Sequence, residues 1–217
     1  MELEFIVVEF HTILKNVIFP VNQINIMSDL LANGFQPVTA GQMIKNKLII
    51  QPGDLAVKNN SVFTINPQSQ MIQVTGLTIS EVYQTWKEIE KILQKQNINL
   101  KSIGRLSEFK IECIIKTGKN PLKSFQNIYK STDITPKFDK LFNEKPSAVL
   151  GIRLVPSDGN IDTENYYDIR LEALLRNMKD EYFLSFVYRN KDQEKSEKMF
   201  LNAESKISEL LKLVENN

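Results

Sequence analysis

The chain has 217 residues, enough for one large domain or two small ones, and a formal net charge of +1, so no global field draws it to nucleic acid or to an anionic membrane. Apolar residues make up 42% and charged residues 24%, an ordinary globular composition able to bury a sizeable core. No apolar run reaches the roughly 18 residues of a membrane span, Glu2 and Glu4 stand where a secretory signal carries Lys or Arg, and the single cysteine, Cys113, excludes an intrachain disulfide and suits a reducing compartment. The expectation is a cytoplasmic protein.

Leu3 to Leu14 predicts a first strand. Its apolar run Phe5–Val8, followed by Phe10, Ile13 and Leu14, reads as a strand covered on both faces. Ile24, Met27, Leu30 and Leu31 keep helical spacing within 21–31, and Asn33-Gly34 is a natural stop because both residues tolerate the left-handed conformation of a C-cap. Residues 35–43 read as a connection. Short strands are expected at 47–50 and 55–57 around Pro52-Gly53-Asp54, then at 61–65 after Asn59-Asn60, and from Met71 after Asn66-Pro67. Such a meander needs a cover over one face.

Thr78 to Gln96 supplies that cover and is the clearest helix of the first half. Thr78 and Glu81 have capping-box spacing. Val82, Trp86, Ile89 and Leu93 follow at i, i+4, i+7 and i+11, with Tyr83 and Ile92 widening the stripe. Trp86, the only tryptophan, falls in mid-stripe and is read as core.

The pattern then restarts. Phe109 to Ile115 predicts a strand with Cys113 in alternation between Ile111 and Ile115. Pro121 fits the first position of a helix bearing Leu122, Phe125, Ile128 and Tyr129, and Pro136 a second short helix with Phe138, Leu141 and Phe142. A strand over 148–155, a loop over 156–164 and a hairpin of 166–175 with 182–188 follow. One long helix, Asp192 to Val214, closes the chain, burying Met199, Phe200, Ala203, Ile207, Leu210, Leu211 and Val214.

The order strand, helix, strands, helix thus occurs twice, in units 1–98 and 99–217, either as a tandem duplication or as one continuous sheet drawing strands from both. Both arrangements are α+β, mostly antiparallel, with amphipathic helices on one side. This layout resembles the TATA-binding-protein-like fold. It is also similar to helix-grip ligand binders, which pack a long C-terminal helix over a curved sheet. Both are resemblances of element order and bring no functional residue with them.

Catalytic chemistry finds little to stand on. His11 is the only histidine, which removes His-rich metal sites and leaves one imidazole for acid–base work. A thiol dyad of His11 with Cys113 needs the two first strands to pair, yet Cys113 sits in IECII, where a free cysteine behaves as a small hydrophobe. Asp158, Asn160, Asp162 and Glu164 alternate as in calcium loops, but Thr163 and Ile169 stand where an EF-hand needs Gly and Glu. Thr117-Gly118-Lys119 fails as a phosphate loop, with Cys113 and Asn120 at its required Gly and Ser/Thr positions. The pairs Glu2/Glu4 and Glu88/Glu90 read as solvated faces. No catalytic, cofactor or metal residue is assigned.

Charge is unevenly placed. Residues 1–100 hold 7 Lys or Arg and 8 Asp or Glu, whereas 101–145 hold 10 basic and 5 acidic residues. The low-charge first half suits a buried interface. The leading expectation is therefore a non-enzymatic interaction module that meets itself or a protein partner through a sheet face or its first half. The alternative is a nucleic-acid-binding module acting through Lys119, Lys123, Lys130 and Lys137, with Phe109, Phe125, Tyr129 and Phe138 to stack on bases. A third reading, a small-ligand binder, expects an apolar cavity near Trp86 or Phe200.

Overall fold

The structure is a computed structural model that describes residues 1–15, 23–39, 41–45, 47–51, 53–130, 147–161 and 164–216. The first half comprises β1 (Glu2–Leu14), α1 (Gln23–Ala32), β2 (Gln36–Pro37), β3 (Met43–Ile44), β4 (Leu48–Ile49), β5 (Asp54–Lys58), β6 (Ser61–Asn66), β7 (Met71–Gly76) and α2 (Ile79–Lys95). After the one-turn α3 (Leu100–Ile103), the second half comprises β8 (Gly104–Lys116), α4 (Pro121–Tyr129), β9 (Gly151–Leu154), β10 (Tyr166–Ala173), β11 (Glu181–Asn190), α5 (Gln193–Leu201) and α6 (Ala203–Glu215).

Nine strands form one sheet in the order β2-β5-β6-β7-β1-β8-β11-β10-β9, and every neighbouring pair is antiparallel. The fold is α+β with a large antiparallel sheet, as expected. Strands from both sides of residue 98 share it. They join where β1 and β8, 13 residues each, pair along their whole length. Outward from that seam each half runs the same way: its first strand, then its last, then progressively earlier ones.

β1 corrects one expectation. Only one of its faces is covered by the described helices. Register shifts between Phe5 and Val7, so Ile6 is a bulge residue and is 43% exposed. The extra residue lets Phe5 and Val8 both face the helices, opposite Cys113 and Ile111, while Val7 faces away opposite Glu112. The continuous apolar run therefore marks a bulge rather than a doubly covered strand.

α2 forms as its spacing requires. The Glu81 N–H donates to Thr78 Oγ1 at 3.2 Å, and the Thr78 hydroxyl donates in turn to Glu81 Oε2 at 2.8 Å. That closes the helix start, although the carboxylate takes the hydroxyl proton instead of a backbone one. Val82, Trp86, Ile89, Ile92 and Leu93 are buried. The hairpin β5–β6 turns on Asn59 and Asn60, both with positive φ, as its Asn-Asn pair implies.

Other elements differ from the sequence reading. The closing helix is two helices, because Asn202 leaves helical geometry (φ −93°, ψ 4°) and its side-chain amide donates to the Lys198 carbonyl. Phe200, Ala203, Ile207, Leu211 and Val214 are buried, Met199 and Leu210 half-buried. α1 buries Ile26 and Leu30, whereas Ile24 and Leu31 are exposed. Residues 36–37, read as connection, form an edge strand against β5. Residues 48–49 leave the meander and pair with β3 in a separate two-stranded ribbon. The helix expected at Pro136 lies outside the described residues.

The helix layer also joins the halves. Phe10 and Phe109 pair directly across the seam. Above them the Trp86 ring stands 4.8 Å from Phe10, and the Phe200 ring 5.3 Å from both phenylalanines. The space a small-ligand cavity would need is filled by these rings. Beside them Lys87 of α2 reaches Glu90 and Glu197 of α5 at 2.6 Å each, and Gln193 donates to both carboxylates. Burial works against the Lys87 ammonium, but its bonds to Glu197 and Glu90 outweigh it and hold its pKa above the ordinary value.

Since Trp86 is wholly buried in this cluster, Trp86→Ala is expected to lower the unfolding free energy by about 3–5 kcal/mol. Urea denaturation followed by far-UV circular dichroism measures it. A loss below about 1 kcal/mol would mean that the ring cluster does not hold the helices to the seam.

Candidate functional site

The alternation that buries Val8, Phe10, Ile111 and Cys113 under the helices turns their neighbours to the opposite face of the sheet. No described helix covers that face. One polar row crosses seven strands of it in register: Asp54, Thr64, Gln73, His11, Glu108, Arg189 and Tyr166. His11 Nε2 lies 3.5 Å from Glu108 Oε1, Arg189 Nε donates to Glu108 Oε2 at 2.7 Å, and the Arg189 guanidinium sits 5.8 Å from the Tyr166 ring centre.

The electrostatics of this face are lopsided. Among the described residues it carries by register nine carboxylates, on Glu2, Glu4, Glu9, Asp54, Glu108, Glu112, Asp168, Glu172 and Glu181, against five strand-borne cations. Each cation already has its own carboxylate: Lys110 with Glu112 at 3.0 Å, Lys116 with Glu181 at 3.3 Å, Arg153 with Asp168 at 2.6 Å, Arg170 with Glu172 at 3.5 Å, and Arg189 with Glu108. Glu4 takes Lys47 from the β3–β4 ribbon at 3.2 Å, and Asp54 accepts from Thr64 and from the Gln51 N–H.

Glu9 stands apart. Its carboxylate, like that of Glu2 at the end of the strand, makes no hydrogen bond and no ion-pair contact among the described residues, but only that of Glu9 lines a cleft. Burial pushes its carboxyl above the usual range, Lys110 on the facing strand pulls it back, and Glu112 and Glu108 raise it further. Glu9 lines a cleft of about 450 Å³ between the open face and the β3–β4 ribbon, with Val62, Gln73 and Thr75 on its floor and Leu48 and Ile49 above. A second cleft, of about 480 Å³, opens at the α5–α6 break beside Lys195, Lys198 and Lys206.

The residues singled out from sequence are dispersed. Lys119 sits in the turn after β8, its Nζ 3.7 Å from Glu215 Oε2, and Lys123 on α4 and Lys130 at its C-cap are exposed at the helix side of the molecule. Lys137 lies outside the described residues. Phe109 and Phe125 are wholly buried, and Tyr129 is half-buried. Asp158 closes an ordinary turn by accepting the Asn160 N–H at 3.2 Å. Among the described residues no group of three His, Cys, Asp or Glu side chains is placed to hold a metal ion, and no helix is long and apolar enough to cross a membrane.

His11 and Cys113 are on paired strands but opposite faces. Cys113 faces the helices opposite Phe5, and His11 faces away opposite Glu108, so no thiol dyad forms. The sequence reading named a sheet face but none of its residues, although their signal is there: Glu2, Glu4, Glu9 and His11 along β1, and Glu108, Lys110 and Glu112 along β8, fall on one side once the bulge at Ile6 is known.

No family model matches the chain, and no curated protein matches it. Among solved structures, TBP of Methanococcus jannaschii aligns over 94% of this chain and 97% of its own, at 11% identity and a TM-score of 0.35. At that score the likeness says nothing about what this chain binds.

Two titrations follow from these positions. Burial pushes the Cys113 thiol up to about 12, so at mildly alkaline pH iodoacetamide is expected to leave the native protein unmodified and to label it once unfolded; mass spectrometry of native protein carrying a full label would contradict this. Burial likewise holds His11 below 6.5, against the pull of Glu108 and with the help of Arg189. The unfolded chain then takes up a proton that the folded one refuses, so stability is full above that pH and falls as the pH drops below it. His11→Gln is expected to lose less melting temperature than the wild type between neutral and mildly acidic pH.

Proposed function

We propose that the protein is a non-catalytic binding module whose open sheet face docks a polypeptide partner bearing lysine or arginine residues. The observation that supports this is the charge balance of that face. All five strand-borne cations among its described residues are already matched by carboxylates, so a phosphate backbone would meet no unpaired strand cation there and a surplus of negative charge. A cationic chain would meet the complement it needs for fast and selective encounter. The sheet offers a broad scaffold on which pairs of facing side chains hold one another in place, and this preorganisation lowers the entropy lost on docking.

The test uses fluorescence anisotropy with a labelled oligolysine, an oligoglutamate and a DNA duplex of similar length. Oligolysine is expected to bind, more weakly as salt rises. Binding should be lost in the double variant Glu112→Lys, Glu172→Lys and kept in the helix-side control Glu204→Lys, Glu209→Lys, which has the same net charge. Equal loss in both variants would reduce the effect to bulk charge and sink the reading. Binding of duplex in place of oligolysine, abolished by Lys119→Glu, Lys123→Glu and Lys130→Glu together, would move function to the α4 side as a nucleic-acid-binding module.

A further inference from the structure

We infer that the cleft beneath the β3–β4 ribbon is the anchor pocket of this face, receiving one lysine or arginine side chain of the docked chain against the Glu9 carboxylate. This rests on the open face being a polypeptide-docking surface and names where on it specificity resides.

The pocket has the two-part character of a long cationic side chain. Its upper wall is Leu48 and Ile49, and Val62 lies in its floor, so a methylene stem would be sheltered while its charged head reaches past them. The head would find Glu9, with the Thr75 hydroxyl opposite it on the neighbouring strand. The charged residues lining the cleft are Glu9, Asp54 and Lys47. Lys47 is engaged by Glu4 at 3.2 Å, and Asp54 by Thr64 and Gln51. Glu9 is therefore the one charge in the cleft without a contact partner among the described residues, and its sign selects a cation.

The cleft is walled on one side by the sheet face, continuous with it through Gln73, which stands opposite His11 in the central polar row. A side chain projecting from a strand or loop laid over that face would enter here, whereas a free amine would leave the rest of the face unused. Glu9 is also poised for such a partner. Burial disfavours its charge, Lys110 favours it, and Glu112 and Glu108 oppose it from the same facing strand; Asp54 from β5 adds negative charge to the cleft and Lys47 from the ribbon adds positive charge. A bound ammonium or guanidinium would tip that balance towards the ionised form. Affinity should therefore rise with pH above 4.5, the ordinary carboxyl value, and binding should release protons.

The experiment pairs the oligolysine titration with backbone-amide NMR on the whole chain, using Glu9→Gln and the free probe Nα-acetyl-lysine methylamide. Glu9→Gln removes a poorly solvated carboxylate that has no contact partner among the described residues, so its melting temperature at neutral pH should be no lower than that of the wild type, which establishes that the variant folds. It should weaken oligolysine binding by about tenfold or more and flatten the rise of affinity with pH relative to the wild type, and wild-type amide shifts should centre on Val62, Gln73 and Thr75. Oligolysine binding that survives Glu9→Gln unchanged but is lost in Glu112→Lys, Glu172→Lys would overturn the pocket and leave the docking face standing. Cleft shifts with the free lysine probe, without oligolysine binding, would overturn the polypeptide source and make this a site for a free amine. Failure of both probes would overturn both readings.

Discussion

The pairing of Glu2–Leu14 with Gly104–Lys116 is the constraint on which everything else rests. Two strands from distant parts of the chain lie side by side over their full length, and each brings the last strand of its own half against its outer edge. The two sheets thereby become one. The same register decides which side chains see the helices and which do not, because a one-residue slip would exchange the faces. It places Phe10 against Phe109 under the helices and His11 against Glu108 on the other side.

The helix face spends this register on apolar contact. Trp86 from one half and Phe200 from the other close over the paired phenylalanines, and Lys87 ties its own helix to the one from the second half through Glu90, Glu197 and Gln193. The opposite face spends the same register on polar pairs, three of them across strands and two along one strand. Facing charges on antiparallel strands lie within reach of each other, so the basic residues there are consumed by their neighbours. The remainder is acidic, and of the two carboxylates left without a contact among the described residues, Glu2 and Glu9, Glu9 is the one that lines the cleft under the ribbon.

The two closing helices show how the register reaches outward. A single straight helix over 192–214 would keep one stripe throughout. The break at Asn202 instead lets α5 pack over β8 and β11 while α6 turns to meet α4. The cost of ending one helix is small, since the Asn202 side chain and backbone N–H take the last carbonyls.

What the sequence by itself determined is the set of local decisions. The capping box at Thr78 and Glu81, the stripe through Trp86, the Asn-Asn turn, Pro121 at a helix start and the antiparallel α+β class all follow from periodicity and backbone chemistry within a few residues. The tertiary structure alone decided the rest. Whether Phe5–Val8 is a buried strand or a bulge, whether Ile24 or Ile26 faces inward, and whether residues 48–49 join the sheet or roof it depend on what lies across from them. The candidate site belongs to this second kind. Its acidic surplus is invisible in a chain of net charge +1, and the basic excess of 101–145 pointed elsewhere, because a running count adds charges that the sheet sorts onto opposite faces and pairs up, some within a strand, as Lys110 with Glu112, and some between strands far apart in sequence, as Arg189 with Glu108.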